Sequence, residues 1–234
     1  MDWIRELSAA TTAFGDTVAE ADLTAPVPAC PGWSLADLAD HLGQIHQWAA
    51  HAVVEGTPDG RPEPAPHGRA ALAGWYRGHA AHLVDVLTEV GPDAPAWTFD
   101  PADATASFWR RRQAHETAMH LWDARASQGA AGSFAPGLAL DGVHEVVTVF
   151  FPRQVHLERL APLTAALGLA PAEGAPVVLA GDGTATRDPD VVVEADAQTL
   201  LLLLWHRLTL DDAPATVVGD RQLAADLLGS ALTP

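Results

Sequence analysis

The chain has 234 residues, 48% hydrophobic and 18% charged, a composition that folds into one large or two modest domains and not into a disordered polymer. Its formal net charge is −17, and all 13 basic residues are arginine. So acidic a surface repels phosphate backbones and anionic lipid, so no nucleic-acid or membrane partner is expected, and the absence of lysine removes Schiff-base and P-loop chemistry.

The first half reads as four helices. Over residues 3–20, Trp3, Leu7, Ala10, Phe14 and Val18 fall at spacings of three and four, one apolar stripe. The Pro- and Gly-rich turn "TAPVPACPGW" follows, and then "SLADLADHLGQIHQWAAHAV" starts at Ser34 with Asp37 three residues on, a capping-box pattern. Residues 56–68, "GTPDGRPEPAPHG", are a loop by composition. A third helix near 69–90 places Leu72, Trp75, His79, Leu83, Val86 and Val90 on one stripe, and "GPDAP" stops it. The fourth runs from about 105 to 128 and ends at Gly129. Four amphipathic helices with one long connection predict a bundle.

Composition shifts at "SQGAAGSFAPGLALDG", 127–142, which reads as a linker. Beyond it Asp141 is placed to cap a helix through "VHEVVTVFFPRQVHL". "APVVLAG", "PDVVVEA" and "PATVVGD" read as strands, "DAQTLLLLLWHRL" as a buried helix, and "RQLAADLLG" as a closing helix. The expected fold class is therefore α+β: a four-helix bundle over residues 1–130, then a small α+β domain over 138–234. The lone Cys30 permits no internal disulfide, the start "MDWIRELSAATTAF" lacks the apolar core of a signal peptide, and "LLLLLW" at 200–205 is far short of the ~20 residues that span a bilayer. A reducing, cytoplasmic setting is expected.

The chemistry concentrates in "RRRQAHETAMHLWDAR", 110–125. Glu116 and His120 stand one helical turn apart and so share a face, on a stripe with Trp109, Gln113 and Asp123 that is polar for a bundle core. On the second helix His41 sits in the apolar stripe of Leu38, Leu42 and Ile45. If the two faces meet, two imidazoles and a carboxylate supply three ligands to a divalent metal and leave positions open for substrate. The bland alternative is a polar stripe with structural histidines, and His46, His79 and His82 compete for the same role. "RRR" at 110–112 is expected to be a solvated face, and Cys30 to pack in its turn. His115 and Asp123 are candidates to support the ligands from behind. No G-x-S-x-G, HExxH, G-x-G-x-x-G or Walker A pattern occurs.

The segment "VPACPGWSLADLADHLGQIHQWA", joined further along to "RRQAHETAMHLWDA", resembles the mycothiol-dependent maleylpyruvate isomerase family. The likeness continues through "DAQTLLLLLWHRL" and "ATVVGDRQLAADLL". It implies a DinB-like bundle followed by a smaller α+β domain, with metal ligands at His41, Glu116 and His120. Zinc is the default for such a donor set, with nickel, iron or manganese also acceptable. It further implies mycothiol as cofactor or co-substrate, a small electrophilic or unsaturated acid as substrate, and isomerase or S-transferase activity. Arg207 matches the family's Gly-Arg position after a leucine run and is the expected catalytic arginine, gripping a substrate carboxylate; a domain-interface salt bridge is the other reading. Here His206 replaces the usual glycine, which puts the local backbone in question. A metal-dependent hydrolase and a non-catalytic metal- or thiol-binding module are the alternatives.

Overall fold

The computed structural model describes residues 1–100 and 102–234. They form two compact units, Met1–Ser133 and Phe134–Pro234. The first contains α1 (Trp3–Glu20), α2 (Leu35–Val54), α3 (Arg69–Glu89) and α4 (Ala106–Ala126). α1 and α2 each pack against both α3 and α4, so that α1 and α2 occupy opposite corners of a four-helix bundle. Local sequence sets the helix starts. The Asp2 carboxylate accepts from the Arg5 amide, and Ser34 and Asp37 complete the expected capping box at the head of α2. Phe14, Val18, Leu35, Leu38, Leu42, Leu72 and Tyr76 interlock in one buried cluster.

The stripe expected on α3 holds at Leu72, Leu83 and Val86 but departs between them. Tyr76 and Ala80 are buried there, whereas Trp75 and His79 stand at the margin. The cause is Gly43 on α2: a Cβ at that position would lie 2.2 Å from the Trp75 ring, so the indole covers the bare backbone beside the core instead of entering it. Residues 56–68 form the expected loop, yet it is tied to α2. The Gln47 side chain exchanges hydrogen bonds with the Glu63 backbone, Asp40 accepts from the Ala65 amide at 2.8 Å, and Trp48 Nε1 donates to the Pro58 carbonyl at 3.0 Å.

In the second unit α5 (Pro136–Glu145) begins earlier than expected, because Pro136 in the first turn has a preset φ and needs no amide partner. Asp141 is consequently inside the helix and caps nothing at its start. The helix continues through a π-helical turn, Val146–Phe150, into α6 (Phe151–His156). β2 (Val177–Gly181), β3 (Val191–Ala195), α7 (Ala197–Leu204), β4 (Thr216–Val218) and α8 (Arg221–Leu228) fall where the patterns put them. One strand is additional: β1 (Leu163–Pro171) lies inside the sheet, whose order is β2-β1-β3-β4, antiparallel to β2 and parallel to β3. Leu200–Leu204 of α7 are all buried, as expected of the leucine run. The fold is thus a mostly helical bundle followed by a small α+β unit. No helix of the described residues is long and apolar enough to cross a membrane.

Candidate metal centre

α2 and α4 bring His41, Glu116 and His120 together. Glu116 Oε1 lies 3.6 Å from His41 Nε2 and 3.2 Å from His120 Nε2. All three donor atoms fall within 4.8 Å of one another. Ligands placed about 2.1 Å from a tetrahedral centre stand about 3.4 Å apart, so both measured separations suit a shared divalent ion. His41 is less buried than its place in the apolar stripe suggested, with a third of its side chain (33%) exposed. The core position on α2 goes to His46 instead, which is fully buried. His41 stands at the margin, its ring 4.9 Å from that of Trp33, and lines a cavity of about 540 Å³ with Trp33, Asp40, Gln44 and Trp48.

The three side chains are held from behind. Asp123, fully buried, has Oδ2 3.0 Å from His120 Nδ1, which fixes that nitrogen as the protonated one and turns Nε2 toward Glu116. Arg112 Nη2 donates to Glu116 Oε2 at 3.0 Å, on the opposite oxygen from the two imidazoles. This corrects the expectation for "RRR": Arg112 is only 3% exposed, and Arg110 donates to the Leu87 and Val90 carbonyls at the end of α3. The signal for Arg112 was its place one turn before Glu116, the i,i+4 ion-pair spacing.

Two models of known domains match the chain: the mycothiol maleylpyruvate isomerase N-terminal domain over residues 4–125, and the C-terminal domain of that protein over 137–226. The chain belongs to the mycothiol maleylpyruvate isomerase family. Crystal structures of the mycothiol-dependent maleylpyruvate isomerase and of a mutant of it share the fold, with TM-scores of 0.65 and 0.67 at 14% and 13% identity; each comparison covers 92% of this chain and 91% of the other. No curated protein matches the chain.

In this member of the family two of the competing histidines, His46 and His79, make other contacts, and the third, His82, is exposed. His46 bonds through Nε2 to Thr117 Oγ1 at 3.1 Å, and burial pushes its pKa down to about 3, so it stays neutral as a core residue. The His79 ring packs edge-on to Trp75, and His115 packs against Trp3 of α1, 5.3 Å between rings. Cys30 packs at the edge of the bundle core in its turn. In the second unit His206 has φ +57°, the left-handed region where the family's glycine would be unstrained, and its Nε2 lies 2.9 Å from the Leu228 carbonyl. The Arg207 guanidinium lies 5.7 Å from the centre of the Trp205 ring and donates to the Trp205 carbonyl.

Two results are expected from this geometry. Asp123→Ala frees the His120 ring and should weaken divalent-ion affinity about 10- to 100-fold, measured by competition with a chromogenic chelator. Burial alone would push the His120 pKa down, but its hydrogen bonds to Asp123 and Glu116 more than offset this and raise it to about 9 in the ion-free protein. That raised value stabilises the ion-free fold below about pH 6.5, and the contribution is lost as pH rises through about 9. A metal needs Nε2 bare, so ion uptake at pH 7 should expel close to one proton from His120, falling toward none above about pH 9. Calorimetry in buffers of different ionisation enthalpy measures the count.

Proposed function

We propose that the protein is a metal- and mycothiol-dependent isomerase of a small unsaturated acid. His41, Glu116 and His120 hold one divalent ion, zinc by default for two imidazoles and a carboxylate, with nickel, iron or manganese compatible with the same donors. A bound ion would hold a thiol as thiolate, and that thiolate would supply the nucleophile for reversible addition to an electron-poor alkene. The chain itself then needs no nucleophile, and Cys30 has no catalytic part. S-transfer to an electrophile would be the same chemistry stopped at addition. Arg207 grips the substrate carboxylate, as the family likeness implies; a planar guanidinium can meet a carboxylate through two parallel hydrogen bonds. A thiol cofactor requires reducing surroundings, and a single cysteine in the sequence agrees with the cytoplasm.

The observation that carries this reading is the trio of donors at ligand spacing beside the cavity that His41 lines, in a chain covered by both family models. Calorimetry with mycothiol on metal-loaded and metal-stripped protein tests it, followed by turnover of maleylpyruvate with and without the thiol. Metal-dependent binding and thiol-dependent turnover are expected. Binding indifferent to metal, or hydrolysis of substrate without thiol, would overturn the proposal in favour of a water-activating enzyme.

A further inference from the structure

His46 is the one polar side chain among the buried residues of α2; the rest there are leucine, alanine, valine and glycine. It is wholly enclosed, and leucine would occupy such a place without surrendering hydration. The imidazole recovers only part of that loss. Nε2 meets Thr117 Oγ1 at 3.1 Å, while Nδ1 is enclosed with no hydrogen-bond partner in the protein. A core histidine half satisfied in this way adds little to stability, so its effect lies in the geometry it imposes.

The bond stands beside the candidate centre. Thr117 directly follows Glu116 on α4, and His46 lies one turn and a fraction beyond His41 on α2, so the contact ties together the two helices that carry the three donors. Backbone spacing within α4 sets Glu116 against His120, but the 3.6 Å from Glu116 Oε1 to His41 Nε2 depends on how far α2 is slid along α4. Apolar packing is non-directional and selects that register less sharply, and the Trp48–Trp109 ring contact further along adds area more than aim. A hydrogen bond between two enclosed side chains is satisfied at one register only, and registry is the best-attested use of a buried polar group. We propose that His46 is a positioning residue: its bond to Thr117 fixes α2 along α4 and thereby sets His41 at ligand distance from Glu116 and His120. This rests on the metal-centre reading above and goes beyond it by assigning the contact that assembles the centre from two helices.

Two measurements on the His46→Leu/Thr117→Val double variant test this: cobalt(II) titration followed in the visible bands, and urea unfolding of the ion-free protein. The pair removes both polar partners and keeps close to their volumes, an exchange that leaves stability near wild type or raises it. The unfolding midpoint should therefore hold or rise, while cobalt affinity falls about tenfold, the scale of losing a group that supports a ligand. Thr117→Val alone also breaks the bond, should show the same fall in affinity, and carries the test if the double variant does not fold. Thr117→Ser keeps the hydroxyl and should stay within about twofold of wild type. Leu83→Ala, which opens the core on α3, should lower the midpoint and leave cobalt affinity unchanged. Wild-type affinity in both bond-breaking variants overturns the role given to His46, and so does a fall in Leu83→Ala equal to theirs, since any loosening of the core would then empty the site. Wild-type protein that takes up no cobalt overturns the metal-centre reading itself, so the two failures are distinct.

Discussion

Glu116→Gln is expected to lower divalent-ion affinity about 100- to 1,000-fold and to carry turnover down with it. Four-ligand structural zinc sites hold their ion with about 10–16 kcal/mol, about 2.5–4 kcal/mol for each ligand, or two to three powers of ten. Glu116 is the one formal charge among the three donors, and its Oε1 is the atom that both imidazoles approach. The amide keeps the shape but not the charge, and it leaves the buried Arg112 guanidinium facing a neutral group. Burial opposes the ionised form of Glu116, but hydrogen bonds to His120 and His41 and the Arg112 charge hold its pKa well below the usual carboxylate range, so the ligand is ready at any working pH. Metal analysis after dialysis against a weak chelator gives the result directly. Wild-type occupancy in the variant would remove Glu116 from the site. The pair His41→Ala and His120→Ala should empty it in the same assay.

Trp109→Ala is expected to cost about 3–5 kcal/mol of stability, the range for removing a large buried aromatic. Trp109 is wholly buried on α4, two turns before Glu116. Its Nε1 donates to the Trp97 carbonyl at 2.6 Å, and its ring meets Trp48, Phe99 and Phe108 at centroid distances of 5.1, 6.0 and 5.3 Å. These contacts fasten the start of α4 to α2 and to the segment before it, and α2 and α4 are the helices that carry His41, Glu116 and His120. Urea unfolding followed by far-ultraviolet dichroism measures the loss. Trp109→Phe keeps a ring and loses one hydrogen bond and some area, and should fall between wild type and alanine. A loss under about 1 kcal/mol for alanine would mean that the surrounding aromatics collapse into the space.

The bundle could be read from the sequence because its signals are local. Apolar residues recur at helical spacing, and Ser34 with Asp37 marks the head of α2. The pairing of Glu116 with His120 was legible for the same reason, since the two share a face by period alone. What escaped depends on contacts distant in sequence. β1, "LTAALGLAP", has Thr164 as its sole β-branched residue, and nothing local marks it as a strand. It is one because it lies between β2 and β3, with Gly168 there to admit Pro189 and Val192, each 3.0 Å from where a Cβ would stand. Arg112 looked solvated because three adjacent arginines on a helix point in three directions, and only the packing of α4 decides which one is enclosed. Trp75 was misplaced on its stripe because Gly43, on another helix, receives it.

Four of the five side chains around the centre, Arg112, Glu116, His120 and Asp123, come from α4, and one, His41, comes from α2. The four are spaced by whole helical turns, so a single stretch of hydrogen-bonded backbone sets their mutual distances before any tertiary contact forms. Position 41 is therefore the independent variable of the site. Aspartate or cysteine there would change the hardness and charge of the donor set while the prefabricated part stayed as it is, and a series of substitutions at that one position would separate the contribution of ligand chemistry from that of scaffold geometry.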